Sequence, residues 1–176
     1  MDLFDAIRGR FSYRGLFAKT PVPREDLKKI VDAGLMAPSG CNMQTTHVVA
    51  IDDPALVADM GALLNKPNFA SAPAAILVLS HEVPGNGGKL YHVQDYAAAI
   101  ENMLLAITAI GYASCWVEGY VRYYDDIALK MAKLIGAPSA YSVVAYLPVG
   151  VAAQPGNRVE KQPFSKRCGF NKFVEE

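Results

Sequence analysis

Surplus charge of either sign is missing from this chain: 17 lysines and arginines are matched by 17 aspartates and glutamates, a formal net charge of +0. Neutralising a nucleic-acid backbone needs an excess of cations, so a general nucleic-acid binder is excluded and any anion site has to be local. Cysteine is scarce. Cys41, Cys115 and Cys168 are odd in number, far apart and without a C-x-x-C pair, which fits neither a disulfide framework nor a zinc knuckle. Long apolar runs are also lacking. The most apolar stretch, Tyr96 to Tyr112, falls short of the ~20 residues of a spanning helix and carries Glu101 and Asn102. The start, Met1-Asp2-Leu3-Phe4-Asp5, has no signal-peptide core. The expectation is a cytoplasmic protein with no membrane segment.

Several chemical signatures are absent as well. His47, His81 and His92 share no metal-ligand spacing, and neither His-Glu-x-x-His nor Gly-x-Ser-x-Gly occurs, so no metal site is expected. The glycine cluster Pro84 to Lys89 fails as a phosphate loop, because Val83 stands where the first glycine belongs and Leu90 where the hydroxyl belongs. Cys41 and His47 do not make a nucleophile pair: His47 is expected on a strand, directed into the core, and no orienting carboxylate is evident.

What is present is an ordinary core. The chain has 176 residues, 52% of them hydrophobic, which gives one domain over residues 1–176. Apolar spacing predicts helices from Leu3 to Arg8, Pro23 to Met36, Pro54 to Leu64, Gln94 to Ile110 and Asp125 to Ile135. Strands are predicted at His47–Ile51, Ala74–Leu79, Ala113–Val117 and Tyr141–Val149, and the tail after Gly150 is loop-rich. Helix Gln94 to Ile110 is apolar nearly all round, so it is the central helix.

Three clusters carry polar chemistry. Arg8, Arg10 and Arg14 lie within seven residues as the first helix runs out, with Ser12 among them, and arginine forks bind phosphate bidentately. Pro38-Ser39-Gly40-Cys41-Asn42-Met43-Gln44 packs turn formers and amides between a helix and a strand. In Ser114-Cys115-Trp116-Val117-Glu118-Gly119-Tyr120 a strand runs into a Glu-Gly step whose backbone a ligand can approach closely. Taken singly, they read as a helix C-terminus, a turn and a strand exit.

Together and in this order they resemble the FMN-dependent nitroreductase family. The resemblance runs from Ala6-Ile7-Arg8-Gly9-Arg10-Phe11-Ser12-Tyr13-Arg14 through Ala37 to Gln44, Gln94 to Leu105, Gly111 to Trp116 and Glu118-Gly119. It closes at Leu147-Pro148-Val149-Gly150 and Asn171-Lys172-Phe173. It implies an α/β (α+β) fold, a three-layer α-β-α arrangement with a mixed central sheet. It also implies an intertwined homodimer whose C-terminal arm, about residues 151–176, packs on the partner subunit.

The same resemblance implies FMN at the dimer interface. Arg10, Phe11 and Ser12 match the phosphate and ring-edge segment, and Arg14 is the cation beside the flavin pyrimidine edge. Pro38, Ser39, Gly40, Asn42 and Gln44 match the loop over the flavin, partly supplied by the second subunit. Trp116, Val117, Glu118 and Gly119 match the segment facing the ring. Asn65, with Asn68 as its rival, matches the ribityl or pyrimidine contact, and Arg158 and Lys161 match the basic residues at the phosphate tail. Phe11 stands where the family has a second basic residue, Thr45-Thr46 replaces Pro-Trp, and the chain is short for the family, so the site is expected to be open.

No side chain is expected to act as acid or base, since the flavin carries the chemistry. The implied activity is ping-pong hydride transfer from NADH or NADPH through flavin N5 to a small electron-poor acceptor such as a nitroaromatic or quinone. The alternatives are a non-enzymatic FMN-binding or sensing dimer, and a flavoenzyme of the same fold with another reaction, dehalogenation or flavin breakdown.

Overall fold

Residues Ala74 to Ser80 have no exposed position, and a strand buried on both faces needs a layer on each side. In the computed structural model, which describes residues 1–124 and 126–173, this strand is β2 (Ala74–Ser80). It lies between β1 (Thr46–Ile51) and β3 (Ser142–Val149). Both pairings are antiparallel, with Val48 opposite Val78 and Ile76 opposite Leu147.

The helices follow their local signals. Asp2 caps α1 (Leu3–Gly9) by accepting the Asp5 N–H at 2.9 Å, and Asp53 caps α3 (Pro54–Leu64) by accepting that of Leu56 at 2.9 Å. The others are α2 (Arg24–Leu35), α4 (Pro67–Ala70), α5 (His92–Ala109), α6 (Gly119–Tyr123), α7 (Ile127–Leu134) and α8 (Phe164–Arg167).

Alternate residues of β2 point to opposite faces, and the two cores follow that period. On one face Leu27 and Ile30 of α2 and Tyr96, Ile100, Met103 and Ile107 of α5 pack with Ile76 and Val78. On the other, Val57 and Met60 of α3 and Met131 of α7 pack with Ala75, Leu77 and Tyr146. The result is the expected three-layer α-β-α arrangement. Helices α2 and α5 cross closely because Gly34 carries no Cβ, which would lie 2.6 Å from Met103 Cγ.

Some expectations are corrected. The sheet is antiparallel throughout among the described residues rather than mixed. Ala113–Val117 is no continuous strand: it touches β3 only at the bridges Ala113–Gly150 and Val117–Tyr146. Between them the Ser114 carbonyl turns away to accept the Tyr13 N–H at 2.8 Å, which interrupts the ladder. His47 is exposed rather than in the core, since the packed face of β1 ends at Val49 and Ile51. Its ring instead meets Tyr141 at 4.5 Å and His81 at 5.4 Å. Asp125, the expected start of the α7 helix, lies outside the described residues, as do the last three residues of the arm.

Candidate functional site

The chain leaves α1 extended at Arg10 (φ −66°, ψ 131°), so successive side chains alternate sides. Tyr13 turns inward: it is buried, its ring meets Phe17 at 5.1 Å, and its hydroxyl donates to the Leu16 carbonyl at 2.6 Å. With the Tyr13 N–H bonded to Ser114, Ser12 and Arg14 lie beside Cys115. Burial pushes the Cys115 thiol up, while Arg14, the Ser12 hydroxyl and Arg10 draw it partly back. Two of the three sequence clusters thus form one surface.

That surface continues into Glu118-Gly119, where α6 begins. The Glu118 carboxylate accepts from Arg122 Nη1 at 2.8 Å, Tyr96 Oη at 2.9 Å and Trp116 Nε1 at 3.1 Å. Burial raises the Tyr96 phenol to about 12, and its bond to Glu118 adds to the shift. A Cβ at Gly119 would meet nothing within 4 Å among the described residues, so the backbone here faces open space. From α4, Asn68 Nδ2 donates to the Arg14 carbonyl at 3.1 Å, and from the connection before it Lys66 Nζ sits 5.0 Å over the Tyr120 ring. Asn65 instead takes a left-handed conformation (φ 48°) to end α3, so of the two asparagines Asn68 is the one set against Arg14.

On the α1 side of Arg14 lies a cavity of about 560 Å³ walled by Arg8, Arg10, Phe11, Ser12, Arg14, Arg158 and Lys161. No carboxylate lines it among the described residues. Arg8 and Arg10 are paired outside its wall, with Asp5 at 2.8 Å and Glu101 at 3.2 Å. Arg14, Arg158 and Lys161 have no carboxylate partner among the described residues, which leaves three unbalanced cations around one hollow. The arm reaches α1 because residues 151–153 run beside Leu16–Ala18, after which Arg158 donates to the Arg8 carbonyl at 3.3 Å and stacks over Phe11 at 5.4 Å.

The third cluster lies elsewhere. Buried Asp95 on α5 clamps the loop: its Oδ1 accepts the Gly40 N–H and its Oδ2 the Thr45 hydroxyl, both at 2.7 Å. Ser39 Oγ accepts the Gln44 N–H at 3.0 Å. Cys41, Asn42 and Gln44 all have positive φ (52°, 55° and 50°), a strained conformation for non-glycine residues that persists only where surroundings enforce it. Pro38, Ser39 and Gln44 line a separate hollow of about 400 Å³ with Asp95, Thr46 and His47, and no residue of the basic cavity joins it. Within one chain the loop and the other two clusters do not make a single site.

A Nitroreductase family model matches residues 7–65 and 58–151. The chain belongs to that family. A protein of Archaeoglobus fulgidus provisionally named NADH dehydrogenase/NAD(P)H nitroreductase is 30% identical over 136 residues, 77% of each chain. A Bacteroides thetaiotaomicron structure with the same provisional name superposes with a TM-score of 0.82 at 25% identity, covering 97% of this chain and 98% of that one. An FMN-dependent nitroreductase of Clostridium difficile R20291 shares the fold, with a TM-score of 0.81 at 23% identity over 97% and 99% of the two chains.

Within this nitroreductase-family chain, sequence reasoning passed over Asp95, Tyr96, Arg122 and Lys66. Arg122 had a signal: Glu118 and Arg122 are spaced i, i+4, the pairing distance on a helix. Asp95 had another, a carboxylate directly before the apolar run that starts at Tyr96. Lys66 and the choice of Asn68 over Asn65 depend on how the α3–α4 connection folds back, which spacing does not encode. No helix among the described residues is long and apolar enough to cross a membrane.

Proposed function

We propose that the chain is an FMN-dependent NAD(P)H oxidoreductase that works as a homodimer with two shared sites. The observation that carries this reading is the basic cavity with Arg14 on its wall, beside Cys115 of the segment that leads to the open backbone at Gly119. A hollow with three unbalanced cations suits a phosphate monoester, and a stretch of backbone free of Cβ suits a flat ring. The residues present therefore fit FMN.

Bound FMN supplies hydride acceptance from NADH or NADPH and electron delivery to a nitroaromatic, quinone or similar electron-poor compound, in alternation. The chain's own residues hold and bias it. Arg158, Lys161 and Arg10 bind the phosphate, with Ser12 adding a hydroxyl and Phe11 a wall. Arg14 supplies fixed positive charge where reduction places negative charge, which favours the reduced state. Trp116, Glu118 and Gly119 present backbone groups to the ring, Val117 holds that segment on β3 through its own N–H and C=O, and Asn68 closes the edge beside Arg14, with Asn65 as the helix end before it. No side chain is assigned a proton-transfer step.

A second copy supplies Pro38, Ser39, Gly40, Asn42 and Gln44. Two features support this: the loop's separation from the basic cavity in one chain, and the apolar residues of the arm. Val159, Phe164, Phe170 and Phe173 are exposed at 80%, 64%, 81% and 93%, and such a set asks for a partner surface.

Steady-state kinetics of the FMN-loaded protein with NADH or NADPH and a quinone test the activity, and parallel double-reciprocal lines are expected. Bound FMN without turnover contradicts the enzyme reading and favours the sensing dimer. Sedimentation at micromolar concentration is expected to show a dimer, and a stable monomer contradicts the shared site.

A further inference from the structure

Glu118 precedes α6, yet its carboxylate makes no hydrogen bond to the first turn of that helix. It points instead into a closed ring of side chains. Oε1 accepts from Tyr96 Oη and from Arg122 Nη1, Oε2 accepts from Trp116 Nε1, and Arg122 Nη1 also donates to Tyr96 Oη at 3.0 Å. The donors come from three places: α5, the extended segment before Glu118, and one turn further along α6. Tyr96 is only 2% exposed, and its hydroxyl stays protonated as a donor because burial and Glu118 both oppose its ionisation.

Holding a five-residue helix in place does not need three donors on one carboxylate. The helix is already anchored by buried Val121, which packs in the core that α3 and α7 cover. What the ring does fix is the rotation of the residue joined to Gly119, where the backbone faces open space. The ring also balances a carboxylate that would otherwise sit unpaired beside a site meant to accept negative charge.

We propose that Tyr96 and Arg122 are positioning residues. They lock Glu118 so that the Glu118-Gly119 peptide meets the cofactor in one orientation, and Arg122 cancels the Glu118 charge next to it. This rests on the FMN reading given above.

A double-mutant cycle on the full-length protein tests it, with FMN affinity followed by quenching of flavin fluorescence. The variants are Tyr96→Phe, Arg122→Met, Glu118→Gln and the pair Glu118→Gln with Arg122→Met. Each single variant is expected to weaken FMN by about tenfold, the scale of one lost charge-assisted hydrogen bond. The pair is expected to be no weaker than the worse single variant, because Arg122 acts through Glu118. Arg122→Met is also expected to lower the two-electron midpoint potential of bound FMN by about 30 mV, the equivalent of tenfold, with the pair returning toward wild type as the charge is rebalanced.

Additive losses in the pair overturn the proposal, as does an Arg122→Met protein that loses thermal stability while affinity and potential stay unchanged. Wild-type protein that binds no FMN overturns the functional reading, and this inference falls with it.

Discussion

Gly119→Ala separates the fold from the site. Gly119 is the first residue of α6, its φ lies outside the left-handed region, and an added Cβ meets nothing within 4 Å among the described residues. The fold should accept the methyl. Alanine is favoured over glycine in a helix by about 1 kcal/mol, a value reached only in a helix interior, so the melting temperature of the FMN-free protein should hold or rise by about 2–4 °C. The cofactor should not accept it. A methyl on the open backbone holds a flat ring away from the peptide, and a loss of at least about 1.4 kcal/mol is a tenfold rise in Kd. Gly61→Ala is the opposite control: there a Cβ would lie 2.6 Å from Ala70 Cα, so α3 and α4 must separate. That overpacking costs about 1–3 kcal/mol of stability, so, unlike Gly119→Ala, it lowers the melting temperature of the FMN-free protein. Differential scanning fluorimetry and FMN titration read the two effects. Gly119→Ala protein that binds FMN as tightly as wild type would refute the assignment of this backbone to the cofactor.

Three other outcomes follow from the same geometry. Removing Arg158 and Lys161 together, as alanines, should weaken FMN by about tenfold or more, since hydrogen bonds to charged groups contribute about 1.5–3 kcal/mol. The same change should leave riboflavin, which lacks the phosphate, unaffected in a parallel titration. Asp95→Ala leaves the Gly40 N–H and the Thr45 hydroxyl without an acceptor, at about 1–3 kcal/mol each, so the melting temperature should fall, and Asp95→Asn should recover part of it. Tyr96, pushed up to about 12, keeps its proton in the folded chain after the unfolded chain has lost it near pH 10. The folded state then binds more protons, so stability falls as pH rises from about 10 to about 12. The advantage of wild type over Tyr96→Phe should shrink across that window in chemical denaturation.

The layers were legible because periodicity reports burial. The unbroken apolar run of β2 required cover on both faces, and the spacing of Leu27, Ile30 and Gly34 supplied it from α2. Ala113–Val117 misled because strand-like residues there spend a carbonyl on Tyr13 rather than on β3, a long-range contact that local pattern does not carry. His47 misled for a related reason: alternation says which face a residue is on, not where along the strand the neighbouring layer stops. At the site, Arg10, Ser12, Arg14 and Glu118-Gly119 were readable as dense polar clusters, and the structure sets the arginine segment beside Cys115, three residues before Glu118. The separation of Pro38–Gln44 from them within one chain is not carried by composition or spacing; only the family resemblance implied that part of this loop serves a second subunit. Arg122 and Tyr96 stayed hidden because their importance lies in a ring of hydrogen bonds closed over twenty-six residues.

The central claim is that this chain binds FMN and passes electrons through it, and the visible spectrum of the purified protein tests it most directly. The protein is reconstituted with FMN and recorded anaerobically before and after stoichiometric NADH, then NADPH. The account predicts a bound-flavin band that one of the two nucleotides bleaches and that air or a quinone restores. A protein that retains no flavin, or a bound flavin that neither nucleotide bleaches, would contradict it.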